Sequence, residues 1–217
     1  MTEYYIPSSA AETEFVEKRS RFIGQIKPVE TEAEARAFVE EIKRRHHDAR
    51  HNCWCYLLRE GGVLRYSDDG EPQGTAGQPM LGVFEKEGVT NLVCVVTRYF
   101  GGVLLGAGGL VRAYSRSAKD ALDAAGVSVV RRWVRHLVPC SYSLFERLRL
   151  ETERFGAVVQ QVEYGADILL TVLVPEEKSE EYAAHMLDFS AGTVETLVDG
   201  EVFQPVPVRS PVVTKET

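Results

Sequence analysis

The sequence predicts an α+β protein built of two domains and a disordered tail. Three observations lead to this prediction. The chain of 217 residues exceeds one average domain. Strand-like and helix-like hydrophobic patterns alternate along it without an internal repeat. Prolines with polar neighbours then replace these patterns near the end. We therefore expect domains at residues 1–135 and 136–202, and disorder over residues 203–217.

The first domain is predicted to contain two helices among several strands. Thr31 and Glu34 form a capping-box pattern ahead of apolar residues at helical spacing, which predicts a helix over residues 32–46. The unbroken apolar run 92–96 is typical of a buried central strand. A second helical pattern begins near residue 110 and ends at Gly126. Further strands are predicted at 21–24, 52–58, 63–66 and from 127 onward.

The second domain is predicted to be ferredoxin-like, because its elements follow the order βαββαβ. Ser143 and Glu146 form a capping-box pattern, which predicts a helix from Leu144 to about Phe155. A second helix is expected from Pro175 onward. The strands are predicted at 136–142, 158–164, 167–174 and 193–198.

Charge is distributed unevenly between the two parts. Residues 1–135 contain 19 Lys/Arg and 18 Asp/Glu, whereas residues 136–217 contain 6 and 14, a net charge of -8. Nucleic-acid surfaces need clustered positive charge. The first domain is therefore the better candidate for binding RNA, and the acidic second domain is expected to contact protein or to pack on the first domain instead.

The sequence also favours a cytoplasmic location. No apolar run is long enough to cross a bilayer, and the first residues lack a secretory signal. The four cysteines do not suggest a disulfide framework, which fits a reducing compartment. We expect no contact with a membrane.

The first candidate site is the segment 46–55, which contains three histidines, an aspartate and two cysteines. Zinc sites normally use two separated ligand pairs, and no second pair follows in the chain, so we expect no metal. Cys53 could alternatively act as a nucleophile beside a histidine, although a thiol within a strand is usually inert. Arg50 and His51 are retained as candidate binding residues.

The second candidate site is the long loop 67–79. Its carboxylates Asp68, Asp69 and Glu71 could bind a divalent ion or act as an acid–base pair, although they lack the alternating spacing of a calcium loop. The same residues are also ordinary turn formers. Long loops in compact domains are often functional. The further binding candidates in this loop are Gly74, Thr75 and Gly77.

The third candidate site is the glycine-rich segment 97–112, between a buried strand and a helix. Free backbone N–H groups at such a helix N-terminus can hold an anion, and nearby arginines add positive charge. The segment lacks the Gly-Lys-Ser/Thr of a Walker A loop and the spacing of a dinucleotide fingerprint. The alternative is that the glycines only allow close packing against the sheet. The candidate binding residues here are Arg98, Tyr99, Gly101, Gly102, Gly106, Gly108, Gly109 and Arg112.

Two long motifs resemble the signature of the IMPACT family, in its bacterial YigZ-type form. They read Ser67-Asp68-Asp69-Gly70-Glu71-Pro72-x-Gly74-Thr75-Ala76-Gly77-x-Pro79 and Arg98-Tyr99-Phe100-Gly101-Gly102-x-Leu104-Leu105-Gly106-x-Gly108-Gly109-Leu110-Val111-x-Ala113-Tyr114. The resemblance implies an N-terminal fold shared with a small-subunit ribosomal protein and with ATP-binding small-molecule kinases, a mixed sheet with two helices. It also implies a C-terminal domain similar to the last domain of elongation factor G.

The resemblance further implies a role in translation. Eukaryotic relatives regulate translation initiation under stress by competing for a protein partner of an initiation-factor kinase. We therefore expect a non-catalytic regulatory protein, without a cofactor, whose N-domain binds RNA, a ribosomal component or a protein. The alternative is a nucleotide- or phosphate-binding enzyme, in which the glycine-rich segment holds phosphates while Asp69 and Glu71 hold Mg²⁺ or act as a base.

Overall fold

The computed structural model describes residues 3–212. The chain forms two compact units. Of the described residues, the N-terminal unit comprises 4–129 and 205–212, and the C-terminal unit comprises residue 3 and residues 130–204. The boundary expected after residue 135 lies a few residues beyond this division, and both fall within one uninterrupted strand, residues 127–140.

The N-terminal unit is built on a five-stranded antiparallel sheet with three helices. The strand order is β2-β3-β6-β4-β5. The elements of the unit are β1 (Tyr4–Pro7), β2 (Ala11–Glu17), β3 (Ser20–Pro28), α1 (Glu32–Arg45), β4 (His51–Leu58), β5 (Val63–Ser67), α2 (Gly77–Glu87), β6 (Leu92–Tyr99) and α3 (Ala107–Ala125). The expected mixed sheet with two helices is therefore wrong in two respects, the strand directions and the helix count.

The two faces of this sheet carry different helices. Along β6, Cys94 and Val96 pack into the core under α2 and α3, whereas Val93 and Val95 pack into the core under α1. The alternation follows from the two-residue period of a strand. The same alternation places Arg98 on the face that carries α2 and α3. Tyr99, the next residue, lies on the face that carries α1.

Helix α1 begins as the sequence predicts. Thr31 Oγ1 accepts a hydrogen bond from the Glu34 amide at 3.2 Å, and Glu34 Oε2 accepts from the Thr31 amide at 3.3 Å. This reciprocal pair satisfies two amides that the helix itself leaves without partners. The expected helix over residues 32–46 is confirmed, with its end at Arg45.

The C-terminal unit has the expected element order βαββαβ. Its elements are β7 (Val127–Cys140), α4 (Tyr142–Arg154), β8 (Val158–Tyr164), β9 (Ile168–Pro175), α5 (Ser179–Phe189) and β10 (Leu197–Arg209). Its strands lie in the order β10-β7-β9-β8. The capping box predicted at Ser143 is absent: α4 begins two residues earlier, at Tyr142, with Ser141 as its N-cap and no side-chain cap bond.

The disorder expected over residues 203–217 is wrong for residues 203–209, which continue β10. Pro205 and Pro207 fit because β10 is an edge strand, where a missing N–H breaks no ladder bond. Arg209 Nη1 donates to Glu87 Oε2 at 2.8 Å and fixes the end of the strand. Residues 213–217 lie outside the described residues. No helix within residues 3–212 is long and apolar enough to span a bilayer.

Candidate functional site

A buried ion pair joins the two motifs. Arg98 Nη1 lies 2.6 Å from Glu71 Oε1, and the two side chains are only 6% and 3% exposed. The Tyr114 hydroxyl donates to the same Glu71 oxygen at 2.9 Å, and Arg98 Nη2 donates to Ser20 Oγ at 3.3 Å. A buried pair is tolerated only when further hydrogen bonds support it. The charge of Arg98 is therefore neutralised inside the unit.

Asp68 organises the loop that follows β5. Its Oδ2 accepts from the Gly74 amide at 2.8 Å, and its Oδ1 accepts from the amides of Ala76 at 3.0 Å and Gly77 at 2.9 Å. These amides precede or open α2, so Asp68 acts as its cap from outside the helix. Thr75 Oγ1 closes the same turn by donating to the Pro72 carbonyl at 2.6 Å.

Asp69 is also held by internal contacts. Its Oδ2 accepts from the Asn52 amide at 2.7 Å, and Lys43 Nζ lies 3.4 Å from Oδ1. Its backbone carbonyl contacts His51 Nδ1 at 2.8 Å. Asp68, Asp69 and Glu71 thus point to different partners, and residues 3–212 contain no group of three His, Cys, Asp or Glu placed to hold a metal.

Two glycines of the motifs permit close backbone packing. A Cβ on Gly77 would lie 2.9 Å from the Ser67 carbonyl oxygen, and one on Gly101 would lie 2.0 Å from the Arg19 carbonyl. Real side chains do not tolerate such distances, so these positions require glycine. Close packing therefore accounts for Gly77 and Gly101.

Gly106 has a different position, at the N-terminus of α3. It is the N-cap, with φ of 73°, and no side chain caps this end. The first backbone bond of the helix runs from the Leu110 amide to the Gly106 carbonyl at 3.0 Å. The amides of Ala107, Gly108 and Gly109 therefore have no partner within α3. Such an end favours negative charge, because the helix dipole adds to three free donors.

The N-terminus of α3 borders a cleft of about 290 Å³, which we call the α3 cleft. Exposed Arg50 lies at its rim, with its guanidinium carbon 5.6 Å from the centre of the Phe100 ring. Arg98 packs against the same ring at 5.5 Å. Its Nε has no hydrogen-bond partner among the described residues. Leu104, which also lines the cleft, is 81% exposed. The cleft combines a free cation, backbone donors and apolar surface.

The structure gathers only part of the predicted site into this cleft. Its lining includes the predicted residues Arg50, His51, Glu71, Arg98 and Gly106. The other glycines and Thr75 lie in the loops and first helical turns around it: Gly74, Thr75, Gly77, Gly101, Gly102, Gly108 and Gly109.

Two of the predicted residues lie elsewhere. The Tyr99 hydroxyl donates to Asp48 Oδ1 at 3.0 Å and contacts His46 Nδ1 at 3.0 Å, on the α1 face of the sheet. Arg112 lines a separate groove. Ser20 and Tyr114 were not among the predicted site residues, although Tyr114 is the last residue of the second motif. Their role depends on contacts with residues distant in sequence.

The buried thiol and phenol near the ion pair remain protonated. Burial raises the pKa of the Cys53 thiol, whose Sγ lies 2.9 Å from the Asp68 carbonyl oxygen. Burial also raises the pKa of Tyr114, so its hydroxyl stays a donor to Glu71. A thiol in this state is a poor nucleophile, which argues against the alternative role considered for Cys53.

The chain matches two known domain models. Residues 18–122 match the Impact N-terminal domain, and residues 138–193 match a domain of unknown function, DUF1949. The chain is 36% identical to the IMPACT family member YvyE of Bacillus subtilis, over 87% of this chain and 88% of the relative. It is 34% identical to the IMPACT family member YigZ of Escherichia coli, over 91% and 98%.

One solved structure is similar over nearly the whole length. It is described as a crystal structure of a hypothetical protein, with a TM-score of 0.58 and 34% identity, covering 91% of this chain and 97% of the other. The matched domain models and the relatives point to the same family as the two motifs that meet at the ion pair. The chain belongs to the IMPACT family.

Proposed function

We propose that this protein is a non-catalytic regulator associated with translation, and that its N-terminal unit binds phosphate groups of RNA in the α3 cleft. The observation that carries the proposal is the uncapped N-terminus of α3 beside exposed Arg50. Backbone donors, a helix dipole and a guanidinium together suit a phosphate oxygen. The resemblance to eukaryotic regulators of translation initiation supports the role in translation and, with it, a cytoplasmic location.

The apolar part of the cleft supports RNA over a simple inorganic anion. Leu104 is 81% exposed and Phe100 is 38% exposed, and both line the cleft with the α3 donors. Bases of a single strand gain affinity by stacking on aromatic side chains such as Phe100 while their phosphates contact cations. A simple inorganic anion would make no contact with this apolar surface.

The internal contacts weigh against a catalytic role. Catalysis by the loop would require Glu71 to leave Arg98 and Tyr114, and Asp69 to leave Asn52. Each departure leaves a buried polar partner unsatisfied. A nucleotide-binding enzyme is the alternative, and a rise in melting temperature with millimolar Mg²⁺–nucleotide would favour it.

The C-terminal unit is proposed to be ferredoxin-like, and similar to the last domain of elongation factor G. Its strands lie in the order β10-β7-β9-β8 with the connections βαββαβ. Residues 130–204 contain 7 Lys/Arg and 13 Asp/Glu. Because this net negative charge repels phosphates, we propose that the unit contacts protein rather than RNA.

Ribosome cosedimentation at low salt tests the proposed function. The unaltered full chain is expected in the ribosome fractions, and the Arg50→Gln variant is expected to be absent from them. Arg44→Gln is the matched control, because Arg44 is an exposed arginine of α1 outside the cleft. Failure of the unaltered protein to cosediment, together with an absence of RNA crosslinks, would overturn the proposal.

A further inference from the structure

A second groove lies beside the α3 cleft, between the β2–β3 hairpin tip and the first turns of α3. It has a volume of about 240 Å³, and we call it the hairpin groove. Its lining includes Phe15, Glu17, Lys18, Gly109, Arg112 and Arg116. Leu105 lines both the hairpin groove and the α3 cleft. The two depressions are therefore neighbours on the surface of the N-terminal unit.

The hairpin groove carries more positive charge than its own carboxylates neutralise. Arg116 packs over the Phe15 ring at 4.3 Å and pairs with Asp120 at 3.3 Å. Lys18 and Arg112 have neither an ion-pair nor a hydrogen-bond partner within residues 3–212. Glu17 is the carboxylate in the lining itself. Free cations that are held near one another provide the local potential that attracts a polyanion.

The backbone fixes the cations at the hairpin tip. Lys18 and Arg19 form the two-residue turn between β2 and β3, with φ values of 46° and 66°. Turns of this kind favour glycine or asparagine, because other residues resist positive φ. Gly101 also packs directly against the Arg19 carbonyl, where no larger residue fits. Two cationic residues thus occupy a strained turn that is held in place by the glycine-rich segment.

Arg112 connects this groove to the N-terminus of α3. A Cβ on Gly108 would lie 3.6 Å from Arg112 Nη1, so the guanidinium lies over the first turn of the helix. The same turn provides the free amides that border the α3 cleft. Positively charged side chains and free backbone amides therefore lie on both sides of this turn.

We infer that the hairpin groove binds a further phosphate of the RNA strand held in the α3 cleft. The ligand of the N-terminal unit is then a single-stranded polynucleotide rather than a mononucleotide. The inference rests on the proposed function and specifies its ligand class. Charge complementarity identifies the occupant, since Lys18 and Arg112 match a phosphodiester backbone that continues past Leu105.

Fluorescence anisotropy with labelled oligouridylates of two, four and eight nucleotides tests this inference. The unaltered full chain is expected to bind longer strands more tightly. The double variant Lys18→Gln/Arg112→Gln is expected to lose on the order of tenfold in affinity for the octamer and little for the dimer, and its salt slope should fall by about 1. Arg50→Gln is expected to weaken binding at every length.

Matched controls separate a local effect from a loss of net charge. Lys86→Gln and Arg44→Gln remove exposed cations of the same unit away from both depressions, and should leave octamer affinity unchanged. All altered side chains are exposed, so melting temperatures should agree with that of the unaltered chain. If the double variant binds the octamer normally while Arg50→Gln does not, the binding of RNA by the hairpin groove is contradicted, but the binding of RNA by the α3 cleft is not.

Two other outcomes also oppose the inference. Absence of binding to every oligonucleotide would overturn both the groove and the proposed function. Displacement of the octamer from the unaltered chain by a polyglutamate peptide, with the double variant losing peptide affinity more than RNA affinity, would identify an acidic protein segment as the occupant instead.

Discussion

Glu71 and Arg98 form an ion pair of 2.6 Å that joins the loop after β5 to the end of β6 beneath the α3 cleft. The residues that make the family recognisable therefore meet inside the unit. Their pairing leaves Arg50 and the α3 amides, rather than Arg98, to face a ligand. Residues that build the cleft are therefore distinct from those that contact its occupant, and the two sets should respond differently to substitution.

Replacing Glu71 by Gln should destabilise the protein by about 3–5 kcal/mol, because Arg98 would keep its charge in a buried position without a counter-ion. Urea unfolding of the full chain measures this change. Glu14→Gln is the control, since the exposed pair of Glu14 with Arg21 should be worth about 0–1 kcal/mol. Equal effects of the two substitutions would mean that the buried pair is not important for stability.

Gly101 and Gly102 are adjacent and should differ in their tolerance of alanine. Gly102 has φ of 81° but open space around its Cβ position, so Gly102→Ala should cost about 1 kcal/mol of backbone strain. Gly101→Ala places a methyl group 2.0 Å from the Arg19 carbonyl and must displace the hairpin. We expect a clearly larger fall in melting temperature for Gly101→Ala. The reverse order would contradict the packing of Gly101 against the hairpin.

Asp68 should be a structural residue. Asp68→Ala leaves the amides of Gly74, Ala76 and Gly77 without their acceptor, and should cost about 1–3 kcal/mol for each amide that stays buried. Hydrogen exchange should show faster opening of the first turn of α2. Glu85→Gln, an exposed change on the same helix, should alter neither quantity. Normal α2 protection in Asp68→Ala would refute the capping role.

Stability should fall in mild acid through His136. Its Nε2 contacts Ser179 Oγ at 2.8 Å, and burial lowers its pKa below the usual value near 6.5. Above pH 7 the imidazole is neutral in both states. As the pH falls through about 6.5, the unfolded chain binds a proton that the folded chain does not yet accept, so the free energy of unfolding decreases.

The pH effect can be measured by comparing urea midpoints at pH 7.5 and 5.5. His136→Gln should show a smaller decrease than the unaltered chain, because it removes a group whose pKa differs between the folded and unfolded states. His47→Gln, at an exposed position, should leave the decrease unchanged. Identical pH dependence in all three proteins would assign the effect to other groups.

The elements that were predicted correctly carry their signals locally. The capping box of α1, the apolar run of β6 and the glycine that ends α3 all lie within or next to the element they define. Helix α2 was missed because its cap, Asp68, lies nine residues before Gly77, and because Gly77 and Pro79 read as turn residues. The length of β10 was missed because prolines on an edge strand resemble a disordered tail.

The composition of the site was predictable from the motifs, but its pairing was not. Glu71 and Arg98 are 27 residues apart, and no local spacing indicates that their charges neutralise each other. Tyr99 was grouped with Arg98 although the strand period sends the two side chains to opposite faces. Recognising that period would have assigned Tyr99 to the face that carries α1.

Crosslinking of photoactivatable RNA to the full chain, followed by peptide mapping, would show directly whether RNA occupies the α3 cleft. We expect crosslinks in the N-terminal unit, at Arg50 and in the segment 100–112, and their loss in Arg50→Gln. We expect no crosslinks within residues 130–204. Crosslinks confined to that acidic unit, or no crosslinks at all under low-salt conditions, would contradict the claim that the α3 cleft binds RNA.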